Sequence, residues 1–115
     1  MGYDLHITRA EDWLDSANAP ITDAEWMAYA ASDAELRVEG SYRTSSPGGT
    51  IEHPIFGWTC DKTGRKGALW HEDSHVAAKN PDPEFIKKMY RIATGLNARL
   101  QGDDGEIYGP DGEPV

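Results

Sequence analysis

The segment HEDSH, from His71 to His75, holds the only histidine cluster of the chain, and the single cysteine, Cys60, lies upstream of it. Two histidines four residues apart can bind one metal ion from the same face of a helix. The surrounding pattern here indicates strand, turn and strand, so the two imidazoles need not converge. Only half of a four-ligand zinc set is visible. We therefore expect no metal and no other cofactor.

A nucleophilic role for Cys60 or for a serine has little support in the sequence. Cys60 shares a predicted strand face with Phe56 and Trp58, and cysteine is among the residues most often buried. The serines of residues 45–49 are not followed by the strand-to-helix elbow of a serine hydrolase. We therefore expect that the chain is not an enzyme.

The densest carboxylate cluster is formed by Asp103, Asp104 and Glu106, with a glycine on each side of the two aspartates. A calcium loop of the EF-hand type is longer and ends in a bidentate glutamate, so this segment is too short for one. Asp and Gly also favour tight turns for local backbone reasons. The pattern predicts a small hairpin, with residues 99–101 and 106–108 as its two arms.

Acidic residues are concentrated towards the two ends of the sequence. The 115 residues include 20 Asp and Glu against 11 Lys and Arg, a formal net charge of −9. Residues 1–40 have a net charge of −7, residues 41–80 of +1 and residues 81–115 of −3. Such a chain is repelled by nucleic acid and by anionic membranes, so we expect neither as a partner. If the two ends meet in the fold, they form one negative face.

The elements that must position these residues are mostly strands. Tyr3, Leu5 and Ile7 alternate with polar residues, which indicates a half-buried first strand. Further strands are predicted at residues 37–39, 51–60, 68–72 and 75–79, with residues 40–50 as a turn or mobile loop. Pro54 is expected to break its strand or to confine it to an edge.

Three helix starts are marked by capping residues. Thr22 and Glu25 have the capping-box spacing and predict a helix over residues 23–31. Asp82 caps a second helix that begins at Pro83 and continues at helical spacing to Leu96. The same spacing of Thr8 and Glu11 predicts a short helical turn that carries Trp13, followed by a loop at residues 15–20.

Residues 1–115 are therefore expected to form a single α+β domain, in which an antiparallel sheet of about four to six strands packs against two main helices. Residues 109–115 are expected to be a loose tail. No apolar run approaches the length of a membrane span, and a lone cysteine fits a reducing compartment, so we expect a cytoplasmic protein.

Three segments carry a resemblance to a known group. They are YDLHITRA at residues 3–10, PITDAEW at residues 20–26 and LNARLQGDDGE at residues 96–106. With these segments the chain resembles small, acidic, standalone bacterial proteins, some of which look like the immunity partners of secreted polymorphic toxins. The resemblance covers about half of the chain and implies no catalytic residue.

The resemblance and the charge together lead to one main hypothesis. We expect an acidic interaction protein, most concretely an immunity protein that blocks the cationic active site of a toxin, because basic nuclease-like domains attract acidic proteins. The predicted partner-binding residues are acids near the two ends: Asp12, Asp15, Asp33, Glu35, Asp103, Asp104 and Glu106.

Two alternatives remain open at this point. One is a phage-type inhibitor that mimics nucleic acid and blocks a basic protein by the same electrostatic attraction. The other is a small metal- or ligand-binding enzyme domain that uses His71, His75 or Cys60 in a concave pocket.

Overall fold

The computed structural model describes residues 3–72 and 74–115, and over these residues one six-stranded sheet forms the centre of the molecule. Its strands are β1 (Asp4–Thr8), β2 (Arg37–Ser46), β3 (Gly49–Thr59), β4 (Lys66–Glu72), β5 (His75–Lys79) and β6 (Arg99–Gly102). The described helices are a 3-10 helix (Trp13–Asn18), α1 (Asp23–Ser32) and α2 (Pro83–Gly95). The predicted α+β fold with an antiparallel sheet is confirmed.

The strand order β2-β3-β4-β5-β1-β6 brings the two ends of the sequence together. β1 lies between β5 and β6 and pairs antiparallel with both, so that Leu5 is opposite Ala78 on one side and Gly102 on the other. The acidic segments that flank β1 and β6 are therefore neighbours in space.

One face of the sheet packs against both α-helices and forms the hydrophobic core. Trp26 of α1 meets Phe56 of β3 edge to face at 5.5 Å, and Phe85 of α2 stacks on Trp58 at 5.4 Å between ring centroids. Leu5 and Ile7, two positions apart on β1, are at most 1% exposed. Burial of this apolar surface supplies most of the stabilisation of a small domain.

Both α-helices begin at the residues that the sequence predicts. The Thr22 side chain accepts a hydrogen bond from the Glu25 backbone N–H at 3.1 Å, and the Glu25 carboxylate accepts one from the Thr22 N–H at 3.1 Å. Asp82 caps α2 by accepting from the Phe85 N–H at 2.9 Å. Among the described residues, no helix is long and apolar enough to cross a membrane.

The other face of the sheet is covered at β1, β5 and β6 by the 3-10 helix. Its cap is Asp12, whose carboxylate accepts from the Leu14 N–H at 2.9 Å. The predicted capping box at Thr8 is wrong, because the Thr8 hydroxyl accepts from the Ala10 N–H instead and closes a tight turn at the end of β1. Because the 3-10 helix runs to Asn18, part of the loop expected at residues 15–20 is helical.

Residues 40–50, predicted as a loop, belong to the long hairpin of β2 and β3. The two strands pair from Arg37 and Gly57 to Ser46 and Gly49, and only two residues form the turn. Nearly all of β2 is exposed, so no buried face imposes the alternation by which a strand is recognised. β4 pairs with β3 only from Ile55 onwards, which places Pro54 where β3 has a free edge, as expected.

The last residues are ordered against the hairpin after β6, in contrast to the expected loose tail. The Gly109 N–H donates to the Glu113 carbonyl at 2.9 Å, and the Val115 N–H donates to the Ile107 carbonyl at 2.7 Å. A bridge also joins Tyr108 to Pro114. The chain therefore folds back on itself in a closed turn.

Candidate partner-binding surface

The side chain of Gln101 joins the loop before the 3-10 helix to the loop after β6. Its Oε1 accepts from the Trp13 N–H at 2.6 Å, and its Nε2 donates to the carbonyls of Glu11 at 3.0 Å and Gly105 at 3.2 Å. The residue is 2% exposed, and hydrogen bonds shielded from water are strong. Gln101 therefore holds two acidic loops against each other.

His6 fixes Asp103 beneath the same surface. The His6 Nε2 lies 2.8 Å from Asp103 Oδ1, and the Asp4 N–H donates to Asp103 Oδ2 at 2.9 Å. The imidazole stacks on Trp13 with ring centroids 3.7 Å apart. Burial raises the pKa of Asp103, but the hydrogen bonds from His6 and Asp4 outweigh burial and leave the pKa below its ordinary value. Asp103 is therefore an ionised, partly exposed anchor of its loop.

Tyr3 anchors the other side of this loop. Its hydroxyl donates to the Glu106 carboxylate and accepts from the Asp104 N–H at 3.3 Å. Burial, together with the neighbouring Glu106, raises the pKa of Tyr3 to about 12, so the hydroxyl keeps its proton at neutral pH. Gly102 makes room for this contact, because a Cβ there would lie 2.7 Å from the Tyr3 hydroxyl.

We define the acidic end as the carboxylates carried by the 3-10 helix, the loop before it and the loop after β6: Glu11, Asp12, Asp15, Asp103, Asp104 and Glu106. Glu11, Asp15 and Asp104 are exposed, and within residues 3–72 and 74–115 none of these three forms an ion pair. The acidic end thus presents exposed carboxylates without an ion-pair partner among the described residues, on loops that hydrogen bonds hold in place.

Two of the acids predicted to bind a partner, Asp33 and Glu35, lie on the helical side of the sheet and are engaged internally. The Lys88 ammonium of α2 lies 2.8 Å from Asp33 and 2.7 Å from Glu35. Lys88 is 5% exposed. Its hydrogen bond is the main reason that the pKa of Glu35 lies below its ordinary value. We call these three residues the Lys88 cluster.

The three residues of the enzyme alternative do not converge. His71 lies on the helical face, where its Nε2 is 2.6 Å from the Ile21 carbonyl. His75 lies on the opposite face, with its ring 5.0 Å from that of His6, and Cys60 is buried beyond the end of β3. Among the described residues, no group of three or more His, Cys, Asp or Glu side chains is arranged to hold a metal ion.

Sequence reasoning did not identify His6, Gln101 and Lys88 as organising residues. His6 occupies a polar position of an alternating strand, which predicts solvent exposure, but β1 is an inner strand covered on both faces. Lys88 is a charged residue of an amphipathic helix, which likewise predicts solvent exposure. The sequence does not indicate that His6 or Lys88 is buried, because each is covered by an element from a distant part of the chain.

Comparison of the chain with protein-family models, with curated proteins and with solved structures finds no significant match in any of the three.

Proposed function

We propose that this protein binds a basic protein partner through the acidic end, and that the partner is a bacterial toxin whose cationic active site the acidic end blocks. The observation that carries the proposal is the presence of exposed, unpaired carboxylates at Glu11, Asp15 and Asp104 on loops fixed from below. Loops restrained by hydrogen bonds lose less conformational entropy on binding than unrestrained loops, which favours affinity.

The sign and the location of the charge support the same proposal. The fold joins the acidic segments at both ends of the chain, so a basic partner meets carboxylates from both segments on one side of the molecule. Complementary charge accelerates association and excludes partners of the wrong sign. Toxin domains that cleave nucleic acid are basic because their substrates are anionic, and they therefore fit this surface.

The proposal is tested by removing charge from the acidic end and, in a matched control, elsewhere. The test variant is Glu11→Gln with Asp104→Asn, and the control is Glu39→Gln with Asp61→Asn, which removes the same number of charges from exposed positions of β2 and the turn after β3. The partner is sought first in the product of the adjacent gene, as a basic protein that copurifies with the chain. Association is then followed between about 0.05 M and about 0.5 M salt.

We expect association of the native protein to slow steeply with salt, and the test variant to associate roughly tenfold more slowly than the native protein at low salt. The control variant should keep most of the native rate. Equal rates for the two variants, or rates that do not change with salt, would contradict the proposal, as would the absence of any basic partner.

A further inference from the structure

A cavity of about 470 Å³ lies on the helical side of the sheet, apart from the acidic end. It is formed by one stripe of α2, by the connection from α1 to β2 and by the end of β3 with the turn that follows. Ligand sites for small molecules have volumes of a few hundred to about a thousand Å³. The cavity is therefore large enough for a small organic molecule.

Cationic side chains surround this cavity although the chain as a whole is acidic. Four of the described cations line it: Arg37, Lys62, Lys87 and Arg91. Lys87 is paired with Glu84 at 3.2 Å. Within residues 3–72 and 74–115, the other three form no ion pair. In a protein of net charge −9, such cations would be expected to form ion pairs with carboxylates.

The carboxylates near the cavity are already engaged. Glu35 is bound by the buried Lys88 at 2.7 Å, and Glu84 by Lys87. Of the described acids in the lining, this leaves Asp61 against three unpaired cations. The lining thus carries four cations against three carboxylates, a formal net charge of +1, whereas the acidic end is made up of carboxylates alone.

The cavity also has an aromatic wall of fixed orientation. Trp58 is 8% exposed and stacks on Phe85, and its indole N–H lies 3.4 Å from the Glu35 carboxylate. Cys60 completes this wall and is 4% exposed. A flat or apolar group that enters the cavity meets this wall, while its charged groups face the cations at the rim.

We propose that this cavity binds a small organic anion with at least two negative charges, carried by phosphate or carboxylate groups. Arg37 and Arg91 can each donate two parallel hydrogen bonds to an oxyanion, which a planar guanidinium does better than any other side chain. Lys62, which forms no ion pair among the described residues, adds charge at the rim. The site involves none of the acidic end, so it stands or falls independently of the partner-binding proposal.

The test uses phenyl phosphate and citrate as separate probes, and isothermal titration calorimetry at low salt as the measurement. The cavity variant is Arg37→Gln with Arg91→Gln. Its matched control is Arg43→Gln with Arg99→Gln, which removes two exposed cations outside the cavity. We expect one site per chain for at least one probe, with affinity reduced at least tenfold in the cavity variant and unchanged in the control. The probe that binds identifies the oxyanion.

A second readout uses Cys60, the single cysteine, as a reporter of occupancy. Binding of the probe should slow alkylation of Cys60 by iodoacetamide in the native protein. If the double variant does not fold, Lys62→Gln in the exposed turn replaces it, with a smaller expected loss of affinity. No binding of either probe, several equivalent sites per chain, or equal losses in the cavity variant and the control would each overturn the proposal.

Discussion

The acidic end and the Lys88 cluster contain the same kinds of side chains but differ in what neutralises them. In the Lys88 cluster, one buried ammonium lies within 2.8 Å of both carboxylates. At the acidic end, no described lysine or arginine forms an ion pair with a carboxylate, and the His6 imidazole hydrogen-bonds to Asp103 alone. The carboxylates that contact the buried cation are engaged within the fold, although Glu35 stays half exposed, whereas exposed acids without a cation remain available to a partner.

Both regions also use a tyrosine in the same way. Burial together with Glu106 raises the pKa of Tyr3 to about 12, and burial together with Asp33 raises the pKa of Tyr29 to about 12. Each hydroxyl therefore stays neutral and donates to its carboxylate at physiological pH. The cation, and not the tyrosine, makes the difference between the two regions.

The largest effect is expected from Lys88→Met. The substitution leaves Asp33 and Glu35 without their cation, and removal of one partner from a buried ion pair costs several kcal/mol. Because Glu35 is half exposed, we expect a loss of about 3 kcal/mol in the free energy of unfolding, measured by urea denaturation. Lys79→Met, at an exposed position, is the control and should cost less than about 0.5 kcal/mol. Equal effects would show that the Lys88 cluster is not an internal element.

The next effect concerns the support of the acidic end. Gln101→Leu removes three hydrogen bonds and leaves the Trp13 N–H without its acceptor, so we expect a loss of about 2 kcal/mol. Hydrogen exchange at the Trp13 amide should accelerate, while the Cys60 amide, bonded to the Arg65 carbonyl, keeps its protection. Thr94→Val, which removes an exposed hydrogen bond, is the control. Unchanged exchange at Trp13 would show that Gln101 does not hold the loops.

A smaller effect on stability is expected when the pH is lowered. The pKa of Asp103 is lower in the folded state than in the unfolded state, so its contribution to stability is present above about pH 4 and is lost as pH falls through the folded-state pKa. Because the side chain is partly exposed, we expect this contribution to be about 1 kcal/mol. Asp103→Asn should make the acid branch of the stability curve shallower, as followed by urea unfolding between about pH 5 and about pH 2. An unaltered acid branch would contradict the His6–Asp103 interaction.

The smallest effect is expected at the exposed acids. Asp104→Asn removes a charge that no described cation compensates, so stability should change by less than about 0.5 kcal/mol. Association with a basic partner should nevertheless slow, because the charge acts through the solvent. A loss of stability comparable to that of Lys88→Met would remove the distinction between the two regions.

Local signals in the sequence predicted much of the fold. The capping box at Thr22 and the cap at Asp82 are both present in the structure. Each of these caps involves residues within one helical turn of each other. Such caps can therefore be predicted from residues that are close in sequence. Within the β2–β3 hairpin, the strand character of residues 40–50 was not predicted, because the exposed faces of that part carry no periodic pattern.

The candidate site was predictable only in its parts. The acids of the acidic end are visible in the sequence as a charge excess, and so is the hairpin turn that carries Asp103 and Asp104. Nothing in the sequence separates these acids from Asp33 and Glu35, because the distinction depends on where Lys88 lies in space.

The sequence alone determined the local elements and the net charge, since caps, turns and helical periodicity arise from residues close to each other along the chain. Only the tertiary structure decided which charges are used within the fold and which face solvent. The pairing of β1 with β6 and the placement of Lys88 under Asp33 each join residues more than fifty positions apart. Such contacts depend on how distant elements pack. Burial and the nearby charges then decide whether an ionised side chain is engaged within the fold or faces solvent.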